Sequence, residues 1–179
     1  MKNTDDGGNA KLMLAAVQHS GETDLDVDQL ILDFAGDLRE KGYRVGGVAQ
    51  VNTIPTGACR CDMALEELTS GKVMQISQQL GPGSSGCRLD SSALEHVTGL
   101  VEASLDEDID ILIINKFGKQ EADGMGLRSA IARAAAAGIP VLAGLNPALN
   151  DAWDAFCGGE GQILDANPSV LKNWLKTAL

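Results

Sequence analysis

Five basic side chains stand in polar, glycine-punctuated segments of an otherwise acidic chain: Arg60, Arg88, Lys116, Lys119 and Arg128. Arg60 opens Arg-Cys-Asp-Met, Arg88 closes Ser-Ser-Gly-Cys-Arg, and Lys116 and Lys119 follow Asn115 around Phe117-Gly118. Just before Arg88, Gly83-Ser84-Ser85-Gly86 offers backbone N–H groups and hydroxyls ahead of a helix start. Such donors enclose a tetrahedral oxyanion or phosphate through charge-assisted hydrogen bonds. A chain of net charge -11 has no general reason to gather cations at one place. A plainer account stands beside this one: Arg60–Asp62 and Arg88–Asp90 are local ion pairs that fix loops, and the two lysines are solvated loop charges.

Other chemistries are less well supplied. Cys59-Arg60-Cys61 and Cys87 are candidates for a thiolate site, because a neighbouring arginine lowers a thiol pKa. Buried inert thiols are the alternative. The cysteine spacing is neither Cys-x-x-Cys nor a paired zinc pattern, so neither a disulfide framework nor structural zinc is signalled. The histidines are His19 and His96, too few for a histidine-rich metal site, and a lone loop histidine such as His19 is usually incidental. No Ser/His/Asp order and no His-Glu-x-x-His spacing is present.

The elements that would position the cations alternate between apolar runs and segments of helical period. Lys11 to Val17 reads as a first strand and Arg44 to Val51 as a second, with Gly46-Gly47 allowing close backbone approach. Between them Val27, Leu30, Ile31, Phe34 and Leu38 fall on one helical face, with Asp24 or Asp26 as N-cap and Gly42 beyond the end. This β-α-β opening predicts a parallel pair with a right-handed crossover. Segments 62–68 and 72–78 flank Thr69-Ser70-Gly71, which reads as a β-hairpin. After the glycine–serine loop, Leu94, Val97, Val101 and Leu105 mark a helix capped by Asp90 or Ser91. Ile109 to Ile114 is a strand buried on both faces, and Asn115 to Glu121 is the polar loop behind it. A helix from about Met125 to Ala137, a strand from Ile139 to Ala143, a helix opened by Pro147, an edge strand at Gln162–Leu164 and a helix from Pro168 complete the chain.

The pattern predicts a three-layer α/β fold with a mostly parallel sheet and an inserted β-hairpin. Residues 1–10 read as a disordered lead-in and 11–179 as one domain. Hydrophobic residues make up 44% of the chain, enough for a core of that kind. The excess of acids argues against nucleic acid and anionic membrane as partners, and no run approaches the ~20 apolar residues of a membrane span. With no signal-peptide core at the N-terminus, a cytoplasmic protein is expected. The hairpin edge predicts a homo-oligomer.

The motifs Arg60-Cys-Asp-Met63, Ile76-Ser-Gln78, Leu80-Gly81, Gly86-Cys-Arg-Leu-Asp90 and Asn115-Lys-Phe-Gly-Lys-Gln-Glu-Ala122, with Gly124, Gly126 and Arg128, resemble an uncharacterised bacterial domain family. That family is encoded beside molybdate ABC-transporter genes, and the resemblance covers residues 12–157. It implies a role in molybdenum or tungsten handling. The order of elements is also similar to that of the nucleoside-triphosphatase family of P-loop folds first known from thermophiles, which implies a P-loop-NTPase-like fold with a degenerate phosphate loop. His19-Ser-Gly-Glu-Thr-Asp-Leu-Asp26 stands where that family cradles phosphate, with one glycine, three acids and no lysine. Asn115-Lys116 stands where the family carries its acidic pair.

Two functions follow as expectations. The first is a binding protein for a small inorganic oxyanion, molybdate or tungstate, held by Arg60, Arg88 and Lys116 with the amides of Gly83 to Gly86. The second is a nucleotide-binding or nucleotide-hydrolysing protein in which Lys116 or Lys119 replaces the absent P-loop lysine. The acidic loop at 22–26 argues against the second.

Overall fold

The computed structural model describes residues 13–18, 26–51, 63–78 and 88–179, with Arg88 in its backbone alone. In chain order the elements are β1 (Leu14–Gln18), α1 (Val27–Glu40), β2 (Val45–Val51), β3 (Ala64–Glu67), β4 (Lys72–Gln75), β5 (Ser77–Gln78), β6 (Arg88–Leu89), α2 (Ser91–Ser104) and β7 (Ile111–Phe117). They continue with α3 (Lys119–Ala122), α4 (Arg128–Ala136), β8 (Val141–Leu145), a 3-10 turn (Pro147–Leu149), α5 (Asn150–Cys157), β9 (Gln162–Asp165) and α6 (Pro168–Ala178).

Seven strands form one sheet in the order β4-β3-β2-β7-β8-β1-β9. The run from β2 to β9 is parallel throughout, while β3 and β4 join β2 as an antiparallel hairpin. The fold is therefore α/β with a mostly parallel sheet, as the apolar runs and helical segments require. Ile111, Leu112, Ile113 and Ile114 are all fully buried, because successive side chains enter opposite cores. On one face Ile111 and Ile113 pack with Phe34 and Leu38 of α1 and Leu171 and Trp174 of α6. On the other, Leu112 and Ile114 pack with Val97 and Val101 of α2, Ile131 of α4 and Trp153 of α5. Among the described residues no helix is long and apolar enough to cross a membrane.

Helix starts follow local chemistry. Asp26 caps α1, its Oδ1 accepting from the N–H groups of Asp28 (3.0 Å) and Gln29 (3.3 Å). Asp90 caps α2 in the same way through Ser92 and Ala93. Asn167 caps α6, where Pro168 takes the first turn.

Three expectations are corrected. The first two long strands are parallel in direction but are not paired, since β7 and β8 lie between β2 and β1. A β-α-β unit constrains direction and crossover; adjacency depends on which backbones fit, and β2 fits β7. At Gly47 (φ +104°) a Cβ would stand 1.9 Å from the Ile113 carbonyl oxygen, so only glycine permits this pairing. Next, the central strand does not end at Ile114 but runs on to Phe117. The expected helix from Met125 begins only at Arg128, as α4, and a short helix, α3, stands where the polar loop was expected, with Gly124 and Gly126 at positive φ between the two.

Gly47→Ala should lower the unfolding free energy by roughly 2–4 kcal/mol, because it adds both a backbone clash and an unfavourable φ. Denaturant unfolding checks this; a change of less than about 0.5 kcal/mol, the range of ordinary surface substitutions, would mean the β2–β7 contact is not tight.

Candidate functional site

The end of β7 is irregular, and the irregularity sorts its side chains. Ile114 pairs with Ala143 and Phe117 with Leu145, so Asn115 and Lys116 on β7 oppose Gly144 alone on β8. An extra residue of this kind re-aims the side chains around it. Asn115 is turned in and 7% exposed; its Oδ1 accepts from the Gln50 N–H (2.9 Å) and its Nδ2 donates to Gln50 Oε1 (3.3 Å). Lys116 is turned out and exposed. Phe117 is turned in again, its ring edge-on to Trp153 at 5.3 Å and tilted against Phe156 at 5.5 Å.

Lys116 opens into a cleft of about 240 Å³ at the carboxyl edge of the sheet. The cleft is lined by Asp26, Val27 and Asp28 from the start of α1, by Asn115 and Lys116, and by Gly144 to Pro147 beyond β8. It lies where α1 and α5 leave for opposite faces of the sheet, the position at which open α/β sheets bind ligands. Burial raises the Asp28 carboxyl above its ordinary value, as does the charge of Asp26; the Lys116 charge and a hydrogen bond with Asn115 act the other way and do not cancel the rise. The first N–H groups of α1 already bind the Asp26 carboxylate. That carboxylate fills the place where a helix N-terminus would otherwise receive phosphate.

The remaining candidates divide. Lys119 is the exposed first residue of α3 and does not line the cleft. Arg128 does not line it either: its Nη1 donates to the Glu121 carbonyl (2.9 Å) and its guanidinium lies 4.5 Å from the centroid of the Phe156 ring. Glu121 is the centre of a small clamp that sequence spacing did not single out. Its Oε2 accepts from the Gly118 N–H (2.9 Å) and its Oε1 from the Leu127 N–H (3.0 Å), while a Cβ on Gly126 would stand 2.2 Å from Oε1. The Asn115-to-Ala122 motif, with Arg128 beyond it, thus serves two ends: Lys116 opens to the cleft beside the inward-turned Asn115, and Gly118, Glu121 and Arg128 hold the following loop. Arg60, Gly83, Ser84, Ser85 and Gly86 lie outside the described residues. Arg88 pairs with Gln78 through its backbone in β6. Asp28 and Asn146 are cleft residues that spacing missed; Asp28 was visible as one acid in a cluster, with nothing to separate it from its neighbours.

Cys59, Cys61 and Cys87 also fall outside the described residues. Cys157 is buried, and its thiol is pushed up to about 12 by burial and by the charge of Asp154. Among the described residues no group of three His, Cys, Asp or Glu side chains is placed to hold a metal ion.

Fold and cleft together define an α/β protein with a mostly parallel seven-stranded sheet flanked by helices, compatible with a P-loop-NTPase-like architecture. The chain belongs to the family described as "Protein of unknown function (DUF2478)", whose profile matches residues 14–174. It is 39% identical over 161 residues to a protein of Bradyrhizobium diazoefficiens named "Molybdenum import ATP-binding protein ModC 2". That alignment takes in 90% of this chain and 18% of the relative, so the chain spans about a fifth of the relative's length. No solved structure gives a significant match.

Two outcomes test the local structure. Glu121→Ala should cost about 3 kcal/mol of stability in denaturant unfolding, since it strands two N–H groups that a buried carboxylate now satisfies; a loss under about 0.5 kcal/mol would put the clamp at an ordinary surface site. In a variant with serine at 59, 61 and 87, Cys157 should resist an aromatic disulfide reagent at pH about 8 until the protein unfolds, because the thiolate is the reactive form. Rapid reaction of the native variant would contradict its burial.

Proposed function

We propose that this protein binds a small tetrahedral oxyanion, molybdate or tungstate, in the cleft at the carboxyl edge, and that it acts in molybdenum uptake, storage or homeostasis. The observation that carries the reading is Lys116, set by the β7 irregularity as the cation among the described cleft residues. Cleft size supports it: about 240 Å³ lies below the roughly 300–1,000 Å³ typical of pockets for drug-sized ligands. The name of the Bradyrhizobium relative supports the link to molybdenum. In this reading Arg60, Arg88 and the amides of Gly83 to Gly86 complete the shell, because a dianion beside Asp26 and Asp28 needs more positive charge than one lysine supplies.

Nucleotide binding is the second reading. It is favoured by the sheet architecture and by the words "ATP-binding" in the relative's name. Against it stands Asp26, whose carboxylate occupies the helix N–H groups a phosphate would use.

Isothermal titration with molybdate, tungstate, sulfate, ATP and GTP separates the two. Oxyanion binding should weaken by one to two decades in Lys116→Ala, the roughly 1.5–3 kcal/mol of a lost charged hydrogen bond. Unchanged affinity in that variant would move the site away from this cleft. Heat with ATP or GTP and none with molybdate would establish the second reading over the first.

A further inference from the structure

An anion cleft that contains a carboxylate has a specificity problem, and Asp28 poses it. Asp26 caps α1, whereas the Asp28 side chain caps no helix and sits half-buried in the cleft wall. Among the described residues, the charged groups facing it are Asp26 on its own helix and Lys116 on β7; Asn115 contributes a hydrogen bond, and Gly144 to Pro147 on the β8 side contribute no charge. An oxyanion seated against Lys116 therefore comes close to the Asp28 carboxyl group. Two bare anions repel there, while a single proton between the oxygens turns the contact into a charge-assisted hydrogen bond. Hydrogen phosphate brings that proton itself. Molybdate, tungstate and sulfate carry none near neutral pH, so the protein must supply it.

Resting on the oxyanion reading above, we infer that Asp28 is the proton-accepting group of the cleft and that a fully deprotonated oxyanion binds with uptake of one proton on Asp28. The proton comes from solvent, forms an O–H bond at an Asp28 carboxyl oxygen, and is donated in a hydrogen bond to the bound anion. Lys116 stays an ammonium and supplies the opposing charge. Burial of Asp28 acts in the same direction, since it already favours the neutral acid.

Linkage sets the size of the effect. Where free Asp28 is ionised, molybdate affinity should rise about tenfold for each unit the pH falls, one proton per anion bound. The experiment is calorimetric titration of molybdate into the full chain between about pH 6 and 8, in two non-phosphate buffers of different ionisation enthalpy, which reports protons taken up directly. About one proton per molybdate is expected for the native protein. Asp28→Asn, nearly the same size and with its fold checked by thermal melting, should bind with little proton uptake and a flat pH profile. Molybdate binding without proton uptake, or uptake that persists undiminished in Asp28→Asn and so belongs to another group such as His19, overturns the assignment to Asp28 alone. No heat with any oxyanion overturns the oxyanion reading itself, and this assignment with it.

Discussion

The carbonyl of Asn115 passes through the space that a side chain at position 144 would occupy. A Cβ on Gly144 would lie 2.3 Å from that oxygen, so glycine is what lets β7 crowd β8 at the point where an extra residue is inserted. The rest of the site depends on this contact. It turns Asn115 inward to Gln50, Lys116 outward to the cleft and Phe117 inward to Trp153 and Phe156. A regular strand would carry its alternation unbroken past Ile114, and the same residues would meet different neighbours.

Electrostatics at the cleft balance opposed terms rather than build one strong field. Lys116 faces two carboxylates, one of which is fixed on the first N–H groups of α1. Helix N-termini favour negative charge, and here the chain provides that charge itself. An incoming anion must therefore draw on other donors or on a proton. This distinguishes the cleft from a glycine-rich phosphate loop, in which the helix N–H groups are left open to the ligand.

Around the cleft, polar groups that look like site chemistry often hold the backbone instead. Asp110 accepts from the Arg44 N–H at 2.7 Å and pairs with its guanidinium at 2.9 Å, tying the start of β7 to the start of β2. Glu67, buried at the hairpin turn, accepts from the N–H groups of Thr69 and Ser70. These hydrogen bonds, together with one from the Ser70 hydroxyl, outweigh burial and hold its carboxyl below the ordinary value. Arg128 and Glu121 serve the α3–α4 loop in the same manner. In an acidic chain, charged residues at element ends are needed for such ties, and residue type alone does not separate them from ligand-binding groups.

What sequence alone determined was everything that depends on local period and local sterics. The apolar runs specified strands buried on both faces, the 3.6-residue spacing specified α1 and α2, and Pro168 marked a helix start, while the caps of α1 and α2 were narrowed to Asp24 or Asp26 and to Asp90 or Ser91, of which the structure uses Asp26 and Asp90. Gly46-Gly47 was legible as a close backbone approach, and Asn115, Lys116 and Lys119 as polar residues following the central strand, of which the first two line the cleft. Tertiary structure alone decided the order of the strands, since pairing depends on which backbones fit across many intervening residues. It also decided that β7 runs to Phe117, because a polar Asn115 joins a buried strand only when Gln50, sixty-five residues away in sequence, satisfies its amide. And it separated Lys116 from Lys119 and Arg128: all three are cations in one short stretch, but a single extra residue opposite Gly144 turns the first to the cleft, while an exposed helix start and the Phe156 ring take the other two.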